Sequence, residues 1–403
     1  MSSSASREVD IAIVGGGLVG ASLACALAPL MERHGVSVAV IEAAAMPETD
    51  AAPWQPSFDG RSSALAQGSA EHFQRLGLWQ EMMKQATPIR HIHVSEKGRL
   101  GATRLNADEL GQPALGYVIP NTWMGRVLHR RLAELPIEWH CPVSVETVSA
   151  EPGSHQLQLS NGEVLKAGLV ALADGGRSGL MQQLGIGSQA EPYDQVALFA
   201  NVEMSRAHGG VAYERFTREG PIALLPLAGR QMALIWTHPA GTEQARLALG
   251  EGDFLAELQQ VFGDRAGRFR RVGSRHAYPL TLVTARETIR PGLAVLGNAA
   301  HALHPVAGQG FNLALRGVID LVAALEQARQ NGMALGSMAA LRDFEARRSD
   351  DRYQIVKFSD GLVRLFGIDN PLLAHARAAG LVGLNVLGPL RQGLARRAMG
   401  LER

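Results

Sequence analysis

A chain of 403 residues with 46% hydrophobic and 19% charged side chains has room for two domains and a large core. Its formal net charge of +1 argues against a nucleic-acid binder, which carries a basic stripe or a high isoelectric point. Cys25 and Cys141 are the only cysteines, too few for a disulfide framework, so a reducing, cytoplasmic setting is expected.

Residues 9–14 are an apolar run rich in β-branched side chains and predict a strand buried on both faces. Residues 18–31 have helical spacing, and 36–41 predict a second buried strand. The uncharged stretch 11–28 is long enough to suggest a membrane span or signal peptide, but its flank "SREVD" lacks the basic excess that either requires. Gly15, Gly17 and Gly20 instead give G-x-G-x-x-G between strand and helix. Gly15 permits the tight turn, Gly17 lets a pyrophosphate approach the backbone, and Gly20 lets helix and strand pack closely. The helix N-terminus offers free N–H groups to phosphate. Glu42 ends the second strand, where a carboxylate can accept from a ribose diol. NAD and FAD both use such a unit.

Residues 195–204, 211–217, 222–228 and 230–238 predict short strands of an antiparallel sheet, with a turn at "AGRQ". Residues 293–296 predict a further buried strand, followed by "GNAAHALHPVAGQG" and a helix. A nicotinamide dehydrogenase has no use for this second strand–turn–helix cradle, whereas a flavin has phosphates and ring at separate places. The N–H groups of Gly308 to Gly310 stand at a helix start, suited to stabilising negative charge on a reduced ring. His301 and His304 lack the third ligand a metal site needs, so no metal is expected. Ser62 and Ser178 lie in no G-x-S-x-G elbow. From Leu341 onward the pattern is helical, and its last part is apolar and basic, with Arg377, Arg391, Arg396, Arg397 and Arg403 against Glu402. Such a segment suits a membrane surface or a partner, or else a packed helix pair with a solvated basic edge.

Three motifs in order, "GGGLVG", "ALADGGRSGL" and "GNAAHALHPVAGQGFN", give the chain a family. It resembles the single-component flavin monooxygenases of the p-hydroxybenzoate hydroxylase fold. Among these it is most similar to the ubiquinone-biosynthesis hydroxylases, and there to the 2-octaprenyl-6-methoxyphenol hydroxylase group. "SFDGRSSAL", "HVSEKG", "EPYDQVALFANV" and "ERFTREGPIALLPL" carry that likeness over nearly the whole chain.

The resemblance implies a Rossmann-like α/β FAD-binding domain with an inserted antiparallel-sheet substrate domain and C-terminal helices. The expected boundaries are 1–75, 100–183 and 276–340 for the FAD domain, 76–99 and 184–275 for the sheet, and 341–403 for the helices. It implies that Gly15, Gly17, Gly20 and Glu42 hold the ADP half of FAD, and that Arg61 and Arg126 lie near its pyrophosphate. Asp174 and Gly175 would serve FAD and a transient NADH or NADPH. Gly297, Asn298 and Asn312 would belong to the cofactor site, and Pro305, Gly308, Gln309 and Gly310 would border the ring. His304 is a candidate catalytic group, and with His301 a candidate base for the phenol. Two departures stand out: Asn298 replaces the usual Asp, and Met181 stands where Arg often ends the middle motif. The implied reaction is hydroxylation of a polyprenyl phenol by O2 through a C4a-hydroperoxyflavin. Another ring position, another phenol, or a non-catalytic role in a quinone-biosynthesis complex are the alternatives. Peripheral contact with the inner membrane, or with other proteins of that pathway, would suit a lipid-tailed substrate.

Overall fold

The computed structural model describes residues 7–45, 61–368 and 370–401; residues 57–60 of the "SFDGRSSAL" segment lie outside it. The strand Arg7–Val14 runs parallel to Val38–Ile41 on one side and to Val164–Leu172 on the other. Leu293–Val295 extends the sheet beyond Val164–Leu172, and Ile137–His140 extends it beyond Val38–Ile41. Residues 11–14 and 38–41 are buried throughout, as an apolar run covered on both faces requires. The uncharged stretch is therefore strand, turn and helix. Among the described residues no helix is long and apolar enough to cross a membrane.

The helix expected over 18–31 is two helices, Leu18–Ala26 and Ala28–His34. Pro29 near the start of the second has no N–H to continue the first, and its ring conflicts with the carbonyl four residues back. Leu23, Leu27 and Ile13 share one core with Leu128 of the helix Asn121–Leu132 and Leu321 of the helix Gln309–Gln330.

The second sheet is centred on Ser188–Met204, which pairs antiparallel with Gln231–Pro239 and His276–Ala285. Pro221–Pro226 and Val211–Phe216 follow in antiparallel order, and the turn expected at residues 228–231 closes one hairpin. His91–Glu96 then joins parallel to Val211–Phe216, and Ala102–Asn106 forms the edge.

Strand pairing corrects the expected boundaries. Ala102–Asn106 is the second arm of a hairpin with His91–Glu96, so residues 100–106 belong to this sheet. His276–Ala285 runs beside Ser188–Met204 along its length and belongs there too. Conversely, Leu78 and Met82 pack into the core beneath the parallel sheet, so residues 76–83 lie with the first domain.

Among the described residues three helices come last: Met338–Gly367, Pro371–Val386 and Gly388–Ala398. The Ser337 hydroxyl caps the first by accepting from the Ala340 N–H, and Asn370 caps the second through the N–H groups of Leu372 and Leu373. The last helix returns to the first domain, where the Met399 carbonyl accepts from the Gly68 N–H at 2.9 Å.

Candidate active site

At the first turn Gly15 has φ +102°, a conformation that a side chain would strain. A Cβ at Gly20 would overlap the Gly15 carbonyl oxygen, so this glycine serves the close packing of helix on turn. Gly17 precedes Leu18–Ala26 without a side-chain cap, leaving the first N–H groups of that helix for a ligand. The Glu42 carboxylate accepts from the Gly16 N–H at 2.6 Å and from the Ala44 N–H at 2.8 Å. It is thereby held at the strand end while lining the cavity.

At the second turn Gly308 has φ +60° and precedes Gln309–Gln330. A Cβ there would lie 3.1 Å from the Ala64 Cβ, whereas one at Gly310 meets no protein atom within 4 Å. The Gly310 backbone thus faces open space. Gly297 packs on the first turn's helix: a Cβ there would fall 3.0 Å from Val19 Cγ2. The two glycine loops are direct neighbours.

A single cavity of about 1380 Å³ joins them. Gly15, Gly17 and Glu42 line one part; Asn298, Pro305, Gly308, Gln309 and Gly310 line another. Arg61, Asp174, Gly175 and Asn312 also line it. The Arg61 guanidinium sits over the Tyr278 ring at 5.1 Å and the Phe199 ring at 6.0 Å, across the seam between the two sheets. The Asp174 carboxylate braces its own loop, accepting from the N–H groups of Gly176 and Ser178 and from the Ser178 hydroxyl. Gln309 donates to the Ala398 carbonyl at 3.3 Å, tying the second turn to the last helix.

Asn312, expected beside the cofactor, is committed to the protein. Its Oδ1 accepts from the Ala66 N–H at 2.8 Å and the Ser69 hydroxyl at 2.7 Å, while Nδ2 donates to the Ala64 and Gly308 carbonyls at 2.8 Å each. An amide has two donor hydrogens and two acceptor positions, and all are in use.

Five expected site residues lie outside the cavity lining: Gly20, Gly297, Arg126, His301 and His304. Gly20 and Gly297 pack the loops, as above. Arg126 shares its helix with Asn121, which does line the cavity, and its Nε is buried without a partner among the described residues. His304 is 2% exposed, its Nδ1 accepts from the Val306 N–H at 3.2 Å, and its ring meets Tyr193 edge-on. Burial lowers its pKa to about 4, so it is neutral at physiological pH and buttresses the loop from behind. His301 is likewise held neutral by burial and by Arg348, whose Nη2 lies 3.3 Å from its Nδ1.

The structure adds residues to which the sequence motifs assigned no role. Ala212, Glu214 and Phe216, at every second position of one strand, line the cavity and bring a carboxylate to its wall. Phe358, Leu362 and Phe366 of Met338–Gly367 wall its apolar part, with Leu381, Leu384 and Leu394 of the last two helices. Their four-residue spacing along one helix face was the available signal.

The residues present fit an FAD. Uncapped helix N-terminal N–H groups and a carboxylate stand at the first turn, open backbone at Gly310, and at Asn298 a cavity-lining amide able to donate and accept hydrogen bonds. An FAD-binding domain model matches residues 8–359. Over 98% of its length the chain is 37% identical to the ubiquinone hydroxylase UbiL of Rhodospirillum rubrum, covering 91% of that protein. It is 34% identical to the 3-demethoxyubiquinol 3-hydroxylase of Escherichia coli, covering 98% of this chain and 99% of that one. The fold matches the p-nitrophenol 4-monooxygenase PnpA of Pseudomonas putida with a TM-score of 0.79 at 17% identity, over 98% of both chains. The chain belongs to the FAD-dependent monooxygenases of the p-hydroxybenzoate hydroxylase fold, which use NAD(P)H as co-substrate, in the branch that holds the ubiquinone-biosynthesis hydroxylases.

Proposed function

We propose that the enzyme hydroxylates the aromatic ring of a polyprenyl phenol in ubiquinone biosynthesis, with 2-octaprenyl-6-methoxyphenol as the model substrate. The observation that carries this reading is the union, in one cavity, of the glycine turns with an apolar chamber walled by Phe366, Leu381, Leu384 and Leu394. A prenyl tail needs such a chamber and a small hydrophilic phenol does not. The names of the two relatives, a ubiquinone hydroxylase and a 3-demethoxyubiquinol 3-hydroxylase, support ring hydroxylation in that pathway.

When bound, FAD takes reducing equivalents from NAD(P)H and activates O2 for transfer of one oxygen atom to the ring. The chain's own part is binding, orientation and exclusion of water. The N–H groups after Gly308 begin a helix of 22 residues, whose dipole favours negative charge at that end. The aromatic and leucine side chains of the chamber keep water from a reactive oxygen donor. Glu214 is the carboxylate we assign to hold the phenol hydroxyl and accept its proton.

The test supplies FAD-loaded protein with NAD(P)H, isotopically labelled O2 and 2-octaprenyl-6-methoxyphenol, and looks for one labelled oxygen on the ring. Oxidation of NAD(P)H that yields only hydrogen peroxide, with every phenolic lipid tried, would overturn the reading. Glu214→Gln is expected to slow hydroxylation about a hundredfold with FAD content unchanged. A wild-type rate in that variant would remove Glu214 from the assignment.

A further inference from the structure

The helix Pro371–Val386 is built inside out. Arg377 is its only formal charge, yet it is 9% exposed and turned into the protein. Its Nη2 donates to Glu96 Oε1 at 2.7 Å, Nε donates to Glu96 Oε2 at 3.3 Å, and Nη1 donates to the Leu365 and Ile368 carbonyls. Leu372, Val382, Val386 and the following Leu387 are instead 81%, 46%, 71% and 51% exposed. A surface helix normally turns its apolar stripe inward and its charges outward.

A second segment continues this face. The turn after His91–Glu96 carries Leu100, 95% exposed, beside Lys97 and Arg99. Its hairpin is fastened to the helix, because the Thr103 hydroxyl donates to the Leu381 carbonyl at 2.7 Å and the Arg104 N–H to Asn385 Oδ1 at 3.1 Å. A Cβ at Gly101 would lie 3.2 Å from Val382 Cγ2, so turn and helix touch. Residues 371–401 contain four Arg and no Asp or Glu, and Lys97, Arg396 and Arg397 are exposed. Leu390 then links this surface to the interior: it is 60% exposed and also lines the large cavity.

We propose that this face docks on an anionic lipid bilayer and that the cavity opens onto the bilayer at Leu390, so that a substrate tail enters from lipid without crossing water. Exposed leucine and valine supply apolar burial, and the exposed Lys97, Arg396 and Arg397 offer positive charge to anionic headgroups, while Arg377 and Arg391 are paired with Glu96 and Glu109. Bilayer docking stands on the face itself; only the tail's entry rests on the substrate reading above.

The test is flotation of the full-length, FAD-loaded protein with vesicles of phosphatidylcholine and phosphatidylglycerol in equal parts. Wild type is expected to float, and to float less with phosphatidylcholine alone or in high salt. The double variant Leu100→Glu, Val386→Glu is expected to bind about tenfold more weakly, with an unchanged flavin spectrum. With long-tailed phenol in the vesicles its rate should fall by a similar factor, while its rate on a short-tailed soluble phenol stays at the wild-type value.

Wild type that stays unbound to both vesicle types overturns docking, as does a double variant that floats like wild type. So does a dimer in solution that the double variant converts to monomer without any flotation in the wild type, since the face would then join copies of the chain. A floating protein that hydroxylates no phenolic lipid leaves docking intact and sinks the substrate reading. A protein that hydroxylates soluble phenol but never floats does the reverse.

Discussion

Asn312 shows what a single side chain contributes here. Its amide joins the second glycine turn, the strand Ser62–Ala66 and the start of the helix Gln67–Arg75. Replacing it with an apolar residue strands buried donors and acceptors, which costs more than the bonds contribute when made. Asn312→Leu is expected to lose about 3 kcal/mol of stability and to bind FAD more weakly, read by denaturant unfolding and flavin titration. Wild-type values in both would mean that the amide is not the brace. The residue type and motif drew attention to the position, but its role was not legible, because three of its partners lie 243 to 248 residues away in the chain. The place of Glu42 beside the first turn was legible for the opposite reason: strand, turn and acid fall within one short βαβ unit, where sequence order and spatial order coincide.

Between elements, the glycines divide by what surrounds them. Gly20 has the Gly15 carbonyl against its missing Cβ, while Gly310 has open cavity. Gly20→Ala is therefore expected to displace the helix Leu18–Ala26, lowering the melting temperature of the apoprotein. Gly310→Ala should leave that temperature unchanged and weaken FAD binding, because its methyl group occupies space that the ligand needs. Differential scanning fluorimetry with and without FAD separates the two, and an equal loss of apoprotein stability in both variants would contradict the geometry. Both loops were readable because each is a strand, a turn and a helix start in succession. The cavity walls were not. A stripe such as Phe358, Leu362, Phe366 says that a helix face is covered, without saying whether protein or ligand covers it. The second sheet was readable as alternating strands, but the membership of Ala102–Asn106 needed its hairpin partner.

Across the whole molecule, burial holds several histidines neutral. His93, His129 and His304 are lowered to about 4 and His238 to about 3, chiefly by burial, with nearby arginines adding to the shift at His93 and His238. The unfolded chain takes up these protons near pH 6.5, whereas the folded chain resists until about pH 4. Stability is therefore greatest above about pH 6.5 and falls on acidification, by up to about 1.4 kcal/mol per pH unit for each such group. Thermal melts between pH 8 and pH 5 should show a midpoint that drops steadily below neutrality; a flat or rising midpoint would contradict neutral burial.

The family match ends at residue 359, whereas Leu381, Leu384, Leu390 and Leu394 of the chamber come later in the chain. Part of the apolar wall thus lies beyond the matched domain, on helices whose end is tied back to it by the Gln309–Ala398 and Gly68–Met399 hydrogen bonds. An exchange of residues 371–401 between two such hydroxylases would therefore remodel the apolar wall and the support of the second glycine turn together.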